Sequence, residues 1–160
     1  MKLSLRDLKA VADEIIGQPF CIGGRGTPEH PGFDCLGVVL YVYKRMGIDI
    51  SFLDPHIFDG LYTDDDRWNV AQSLVESVAR EHGLSVSVLS PDAPVTHFDT
   101  VGWIDRRLTH AALVLPGDKL LHASAGMNGV GPNKVILSSL NRYNSRKSFG
   151  VRFEGIEWVP

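Results

Sequence analysis

Apolar positions recur every three or four residues in the first half of the chain and every second residue in the second half. Leu5, Leu8, Val11, Ala12, Ile15 and Ile16 fall on one helical face. Ser4 can cap that helix with Asp7 three residues on, and Gly17 with Pro19 ends it. A second helix is predicted from Asp34 or Cys35 to Gly47. Its residues Leu36, Val38, Val39, Leu40, Tyr41, Val42 and Met46 leave almost no polar face, the pattern of a buried helix. Between Ser51 and Asp66, Pro55, Gly60 and several aspartates read as a long surface loop. Asp66 can cap a third helix to His82, with Trp68, Ala71, Leu74, Val75 and Val78 inward and Gly83 as its stop.

From there the period is two. Strands are predicted at Leu84–Leu89, Asp99–Asp105, His110–Pro116, Lys119–Ser124, Lys134–Ser139 and Ser148–Phe153. The short turn Pro116-Gly117-Asp118 makes an antiparallel hairpin of the third and fourth. Helices followed by strands, without repeats or a linker, give an α+β fold and one domain over residues 1–160.

Composition narrows the function. The chain has 160 residues, 44% of them hydrophobic, enough for a core without metal or disulfide staples. Its 16 basic and 19 acidic residues, net −3, build no strongly basic face, so nucleic acid is not an expected partner. Cys21 and Cys35 are too few for a disulfide scaffold. The charged start MKLSLRDLKAVADEII is not a signal peptide, and LGVVLYVY at 36–43 falls far short of the roughly 20 apolar residues of a membrane span. The expectation is a protein made in the cytoplasm, without its own export signal and without membrane insertion.

Phe33-Asp34-Cys35-Leu36-Gly37 opens the buried helix. A thiol in the first turn of a helix meets unpaired N–H groups and the positive end of the dipole, which favour thiolate. A lone cysteine is more often a small buried hydrophobe, and Cys21 is read that way. A nucleophilic thiol needs a base, and the base an orienter. His110 and His122 lie on either side of the turn at Gly117, and pairing of the hairpin brings them near each other. Each histidine alone reads as a structural residue; the two across one hairpin, downstream of Cys35, make a Cys–His pair the better reading. Zinc is disfavoured because no close ligand pair accompanies Cys35, His110 and His122. Asp64-Asp65-Asp66 lacks calcium-loop spacing, and GGRG at 23–26 is not a phosphate loop. No metal or cofactor is therefore expected. His30, His56, His82 and His97 carry no pattern.

The order GQPF, IGG, loop, FDCLGVV, a GWI strand and THAALVLPGDKLLHAS resembles the NlpC family of cell-wall cysteine peptidases over about Gly17 to His122. That resemblance implies a papain-like α+β domain with the nucleophile at a helix N-terminus, packed on an antiparallel sheet. It implies Cys35 as nucleophile, His110 as general base and His122 as the polar third member, acting on peptidoglycan stem peptides at a γ-D-glutamyl–diamino acid bond. It also marks Asp34, Phe20 and Leu36 for substrate, with Asp34 meeting the amino end of the stem. Phe20 stands where the family usually has Tyr, and Leu36 where many cell-wall members have Ser. The DCLG variant and the closing SFGVRFEG look like the phage-tail and gene-transfer-agent branch, which implies phage tail proteins as partners and the virion as location. Two alternatives stay open: a catalytically silent tail-assembly component, and a Cys–His amidase or acyltransferase on another substrate. A lipid substrate would call for a membrane-seeking edge at Phe52, Leu53, Ile57 and Phe58, for which burial under the insert is the better reading.

Overall fold

The computed structural model describes residues 1–51, 75–105, 107–125, 130–143 and 147–160. Strand β1 (Lys2–Ser4) leads into α1 (Leu5–Ile15), followed by α2 (Cys35–Arg45). Helix α3 is described over 75–81. Strands β2 (Val86–Leu89), β3 (Thr100–Asp105), β4 (Arg107–Leu115), β5 (Lys119–Ser124) and β6 (Lys134–Ser139) come next. A single turn α4 (Leu140–Tyr143), β7 (Phe149–Phe153) and β8 (Glu157–Val159) complete the chain. β2-β7-β3-β4-β5-β6 form one six-stranded sheet with every neighbouring pair antiparallel, and β1 and β8 pair separately in parallel. The fold is α+β, as the order of periods implies.

Helix α1 starts where its side chains dictate: Ser4 Oγ accepts the Asp7 N–H at 3.3 Å. It buries Leu8, Val11, Ala12 and Ile15, whereas Ile16, expected on that face, is its cap residue and exposed. Helix α2 is buried nearly all round, through Leu36, Gly37, Val38, Val39, Leu40, Val42 and Tyr43. Gly47 ends it at φ +87°, letting the Ile48 N–H turn back to the Tyr43 carbonyl at 2.8 Å. Ala111, Leu113, Leu121, Ala123 and Val135 carry the sheet's helix-facing surface, and Val101, Ala112, Val114, Leu120 and Leu140 make a smaller cluster.

Several boundaries differ from the sequence reading. β2 starts at Val86 rather than Leu84, because the Leu84 N–H closes α3 on the Ala79 carbonyl at 2.9 Å. β3 starts at Thr100, since the Asp99 N–H belongs to a turn on Thr96 and Phe98 sits at φ +71°. β4 begins earlier, at Arg107, with a register shift opposite Trp103/Ile104, and ends at Leu115. β7 begins at Phe149. β1 and β8, three residues each, are too short to show a period and were not expected. The start of the third helix, with Asp66, Trp68, Ala71 and Leu74, and the loop 52–66 lie outside the described residues.

Candidate active site

Two close-packed glycines put Cys35 where it is. The Asp34 Oδ1 accepts the Gly37 N–H at 2.6 Å and caps α2, so Cys35 occupies the first helical position. The loop before it folds directly onto the helix: the Asp34 N–H meets the Gly24 carbonyl at 3.3 Å. A β-carbon on Gly37 would stand 2.0 Å from that same carbonyl oxygen. Asp34 has further partners. Its Oδ2 accepts the Gly23 N–H at 3.0 Å, and Arg25 Nη1 lies 2.8 Å from Oδ1. The carboxylate is thus spent on the cap, the loop and a neighbouring guanidinium.

The thiol meets the sheet where two strands part. Val114 donates its N–H to Asp99, on the β3 side of β4. The alternate residues Leu115 and Leu113 therefore face β5, where they pair with Lys119 and Leu121. The ladder stops there. Ala111, next in that series, has a backbone N–H that favours the charged form of the Cys35 thiol.

His110 Nε2 and His122 Nδ1 are 2.8 Å apart, with the rings edge to face at 83°. Extending the β4–β5 register puts Ala112, not His110, opposite His122. The two histidines meet diagonally, on one face of the opening hairpin. The chain of contacts continues, since His122 Nε2 lies 2.8 Å from Ser138 Oγ on β6. Trp103, paired with His110 across β3 and β4, covers that ring at 5.4 Å between centroids.

Burial, then the neighbouring His122, depresses the His110 pKa to about 4, and burial lowers that of His122. Both are neutral imidazoles near pH 7. Burial likewise pushes the Cys35 thiol up. The N–H groups of Ala111, Leu36 and Cys35 itself favour the thiolate, but Asp34 opposes them. The expectation of a thiolate stabilised by the helix start is corrected: burial outweighs the helix-start N–H groups and pushes the Cys35 thiol up.

Leu36, a position marked for substrate, is 3% exposed and packs into the core, so it offers no contact there. Phe20 packs half-buried against the core edge, its N–H on the Asn133 carbonyl. Cys21 is a free, half-buried thiol against the Gly32 backbone. Among the described residues no three His, Cys, Asp or Glu side chains are grouped to hold a metal ion, and no helix is long and apolar enough to cross a membrane. Ser138, Trp103 and Arg25 are the groups that sequence reading missed. Their approach depends on strand register and loop packing.

No known family profile matches the sequence, and no curated protein matches it. Solved structures do. The NlpC/p60 domain of the peptidoglycan hydrolase SagA is 25% identical with a TM-score of 0.53, over 92% of this chain and 97% of that one. The peptidoglycan hydrolase RipB from Mycobacterium tuberculosis is 21% identical at a TM-score of 0.55, over 92% of this chain and 63% of its own. An NLP/P60-family lipoprotein-like protein from Staphylococcus aureus is 18% identical at 0.54, over 92% of this chain and 40% of its own.

Proposed function

We infer, with the NlpC/p60 fold of this chain as the premise, that it is a cysteine peptidase hydrolysing an amide bond in peptidoglycan stem peptides. The observation that carries this reading is the contact line His110, His122, Ser138, together with Cys35 at the first position of α2. His110 Nε2 is engaged by His122, so Nδ1 is the nitrogen left to take the thiol proton. The sulfur attacks the scissile carbonyl carbon as that proton moves to His110. The tetrahedral oxyanion forms beside the backbone N–H donors of the helix start. His110 then gives the proton to the leaving amine, and a thioester remains. Water, deprotonated by His110, hydrolyses the thioester and restores the thiol. His122 holds the imidazole and takes part of its positive charge.

The bond we assign, from the resemblance to the NlpC family, is γ-D-glutamyl–diamino acid, and the DCLG motif is what favours a phage-tail setting. The saturated Asp34 refines the substrate. Its oxygens already accept two backbone N–H groups and face Arg25, so recognition of a free amine does not rest on an isolated carboxylate. A stem whose amino end is joined to the glycan is accepted as readily as a free peptide.

Incubation of purified sacculi and of a free stem tripeptide with wild type and Cys35→Ala, read by mass spectrometry, tests this. Fragments from wild type alone, from sacculi at least as much as from tripeptide, are expected, while the variant keeps its fold. Equal release by Cys35→Ala overturns the mechanism. Absence of fragments from both leaves the silent-component reading.

A further inference from the structure

The half-buried hydroxyl of Ser138 touches neither the thiol nor any group that the reaction changes, yet it stands at the end of the histidine line. We propose that Ser138 is a positioning residue that, as a hydrogen-bond acceptor for His122 Nε2–H, selects the tautomer in which His110 is a base. The inference rests on the Cys–His reading above and extends it to a residue outside the triad.

The argument is a proton count. Two neutral imidazoles share one proton across the 2.8 Å contact of His110 Nε2 and His122 Nδ1. If that proton belongs to His110, then His110 Nδ1 is bare and His122 carries its own proton on Nε2. If it belongs to His122, then His110 carries a proton on Nδ1 and cannot accept another there, and His122 Nε2 is bare. Only the first arrangement supplies a base. It leaves a His122 N–H that needs an acceptor, and Ser138 Oγ lies 2.8 Å from that nitrogen.

The surroundings of the sulfur lean the same way. The backbone N–H groups of Ala111, Leu36 and Cys35 favour a charged sulfur, so the thiol proton needs an acceptor that those groups do not supply. In the mechanism above, the bare Nδ1 of His110 takes that part. When His110 becomes an imidazolium, its Nε2–H strengthens toward His122 Nδ1, and the His122 Nε2–H strengthens toward Ser138 in turn. Register supports the geometry. His122 pairs with Ile136 and Leu120 with Ser138, so His122 and Ser138 are diagonal neighbours on one sheet face.

Long-range 1H–15N spectra of the full chain with 15N-labelled histidine near pH 7 read the tautomers directly. Both His110 and His122 are expected as Nε2–H forms. A His122 protonated on Nδ1 overturns the proposal with wild type alone, whether or not any variant folds. Ser138→Ala is expected to mix the tautomers and to slow iodoacetamide alkylation of Cys35 at pH 6 about tenfold. Its alkylation midpoint should move to higher pH. Ser138→Thr, which keeps the hydroxyl, is expected to restore both. A folded Ser138→Ala with unchanged tautomers and an unchanged alkylation profile also overturns it. Neither readout uses a wall substrate, so failure here is distinct from failure of the peptidase reading.

Discussion

Cys35 and His110 are both uncharged near neutral pH, and the reason is burial acting on both. A buried thiol resists losing its proton and a buried imidazole resists gaining one, so the two shifts widen the pH range in which thiol and imidazole are both neutral. The expected kcat/KM profile therefore has its acid limb near pH 4, from His110, and an alkaline limb above the ordinary thiol range. His122 is the second cause of the His110 shift, through the charge it carries when protonated. Replacing His122 by Gln removes that repulsion and moves the acid limb up. It stays below the ordinary value, because burial, the larger cause, remains. The maximal rate should fall by about 10- to 100-fold, since the orienting partner is changed. A wild-type acid limb at pH 6 or above would contradict the buried neutral pair.

At the scale of the element, α2 owes its position to backbone packing that no side chain can imitate. The loop carbonyl of Gly24 fills the place where a side chain at 37 would begin, and Gly24 is itself pressed against Gly32, 2.6 Å from where its own β-carbon would stand. Gly37→Ala must push the loop off the helix start or tilt the first turn. Overpacking of this kind costs about 1–3 kcal/mol. It also displaces Asp34 and Cys35 together, so activity should fall much more than the urea midpoint does. The same substitution at Gly47, with nothing within 4 Å but φ +87°, should lower stability and leave the rate of Cys35 alkylation near wild type. Equal effects at both glycines would show that the loop contact does not set the thiol.

Across the whole molecule, the buried histidines tie catalysis to stability. The unfolded chain titrates His110 near 6.5 and the folded one near 4, so between those values the unfolded state binds more protons. Stability is fully present above pH 6.5 and falls as pH drops to about 4, by on the order of 3 kcal/mol for His110 alone. Urea midpoints at pH 7.5 and 4.5 should differ by more in wild type than in His110→Gln, which removes that titration. Identical differences would place the acid sensitivity elsewhere. The far end of the sheet has its own tie. Arg152 on β7 grips the buried Asp99 through Nε at 3.0 Å and Nη2 at 2.6 Å, and Asp99 also accepts the Thr96 N–H at 2.7 Å. That lock holds the turn from which β3 starts, where the Tyr43 hydroxyl donates to the Phe98 carbonyl at 2.6 Å.

The sequence by itself determined the elements whose signal is local. Caps at Ser4 and Asp34, stops at Gly17, Gly47 and Gly83, the all-apolar α2 and the alternating strands are legible because capping and amphipathic period act within a few residues. It also singled out Cys35, His110 and His122, since a helix-start thiol and a hairpin with two histidines are patterns in one dimension. Only the tertiary structure decided that β4 and β5 part after Leu113, that the histidines meet diagonally, and that Asp34 is paired with Arg25. It alone put Ser138 behind His122 and reversed the expected shift of the thiol. Register and desolvation are sums over residues far apart in the chain. No local window contains them.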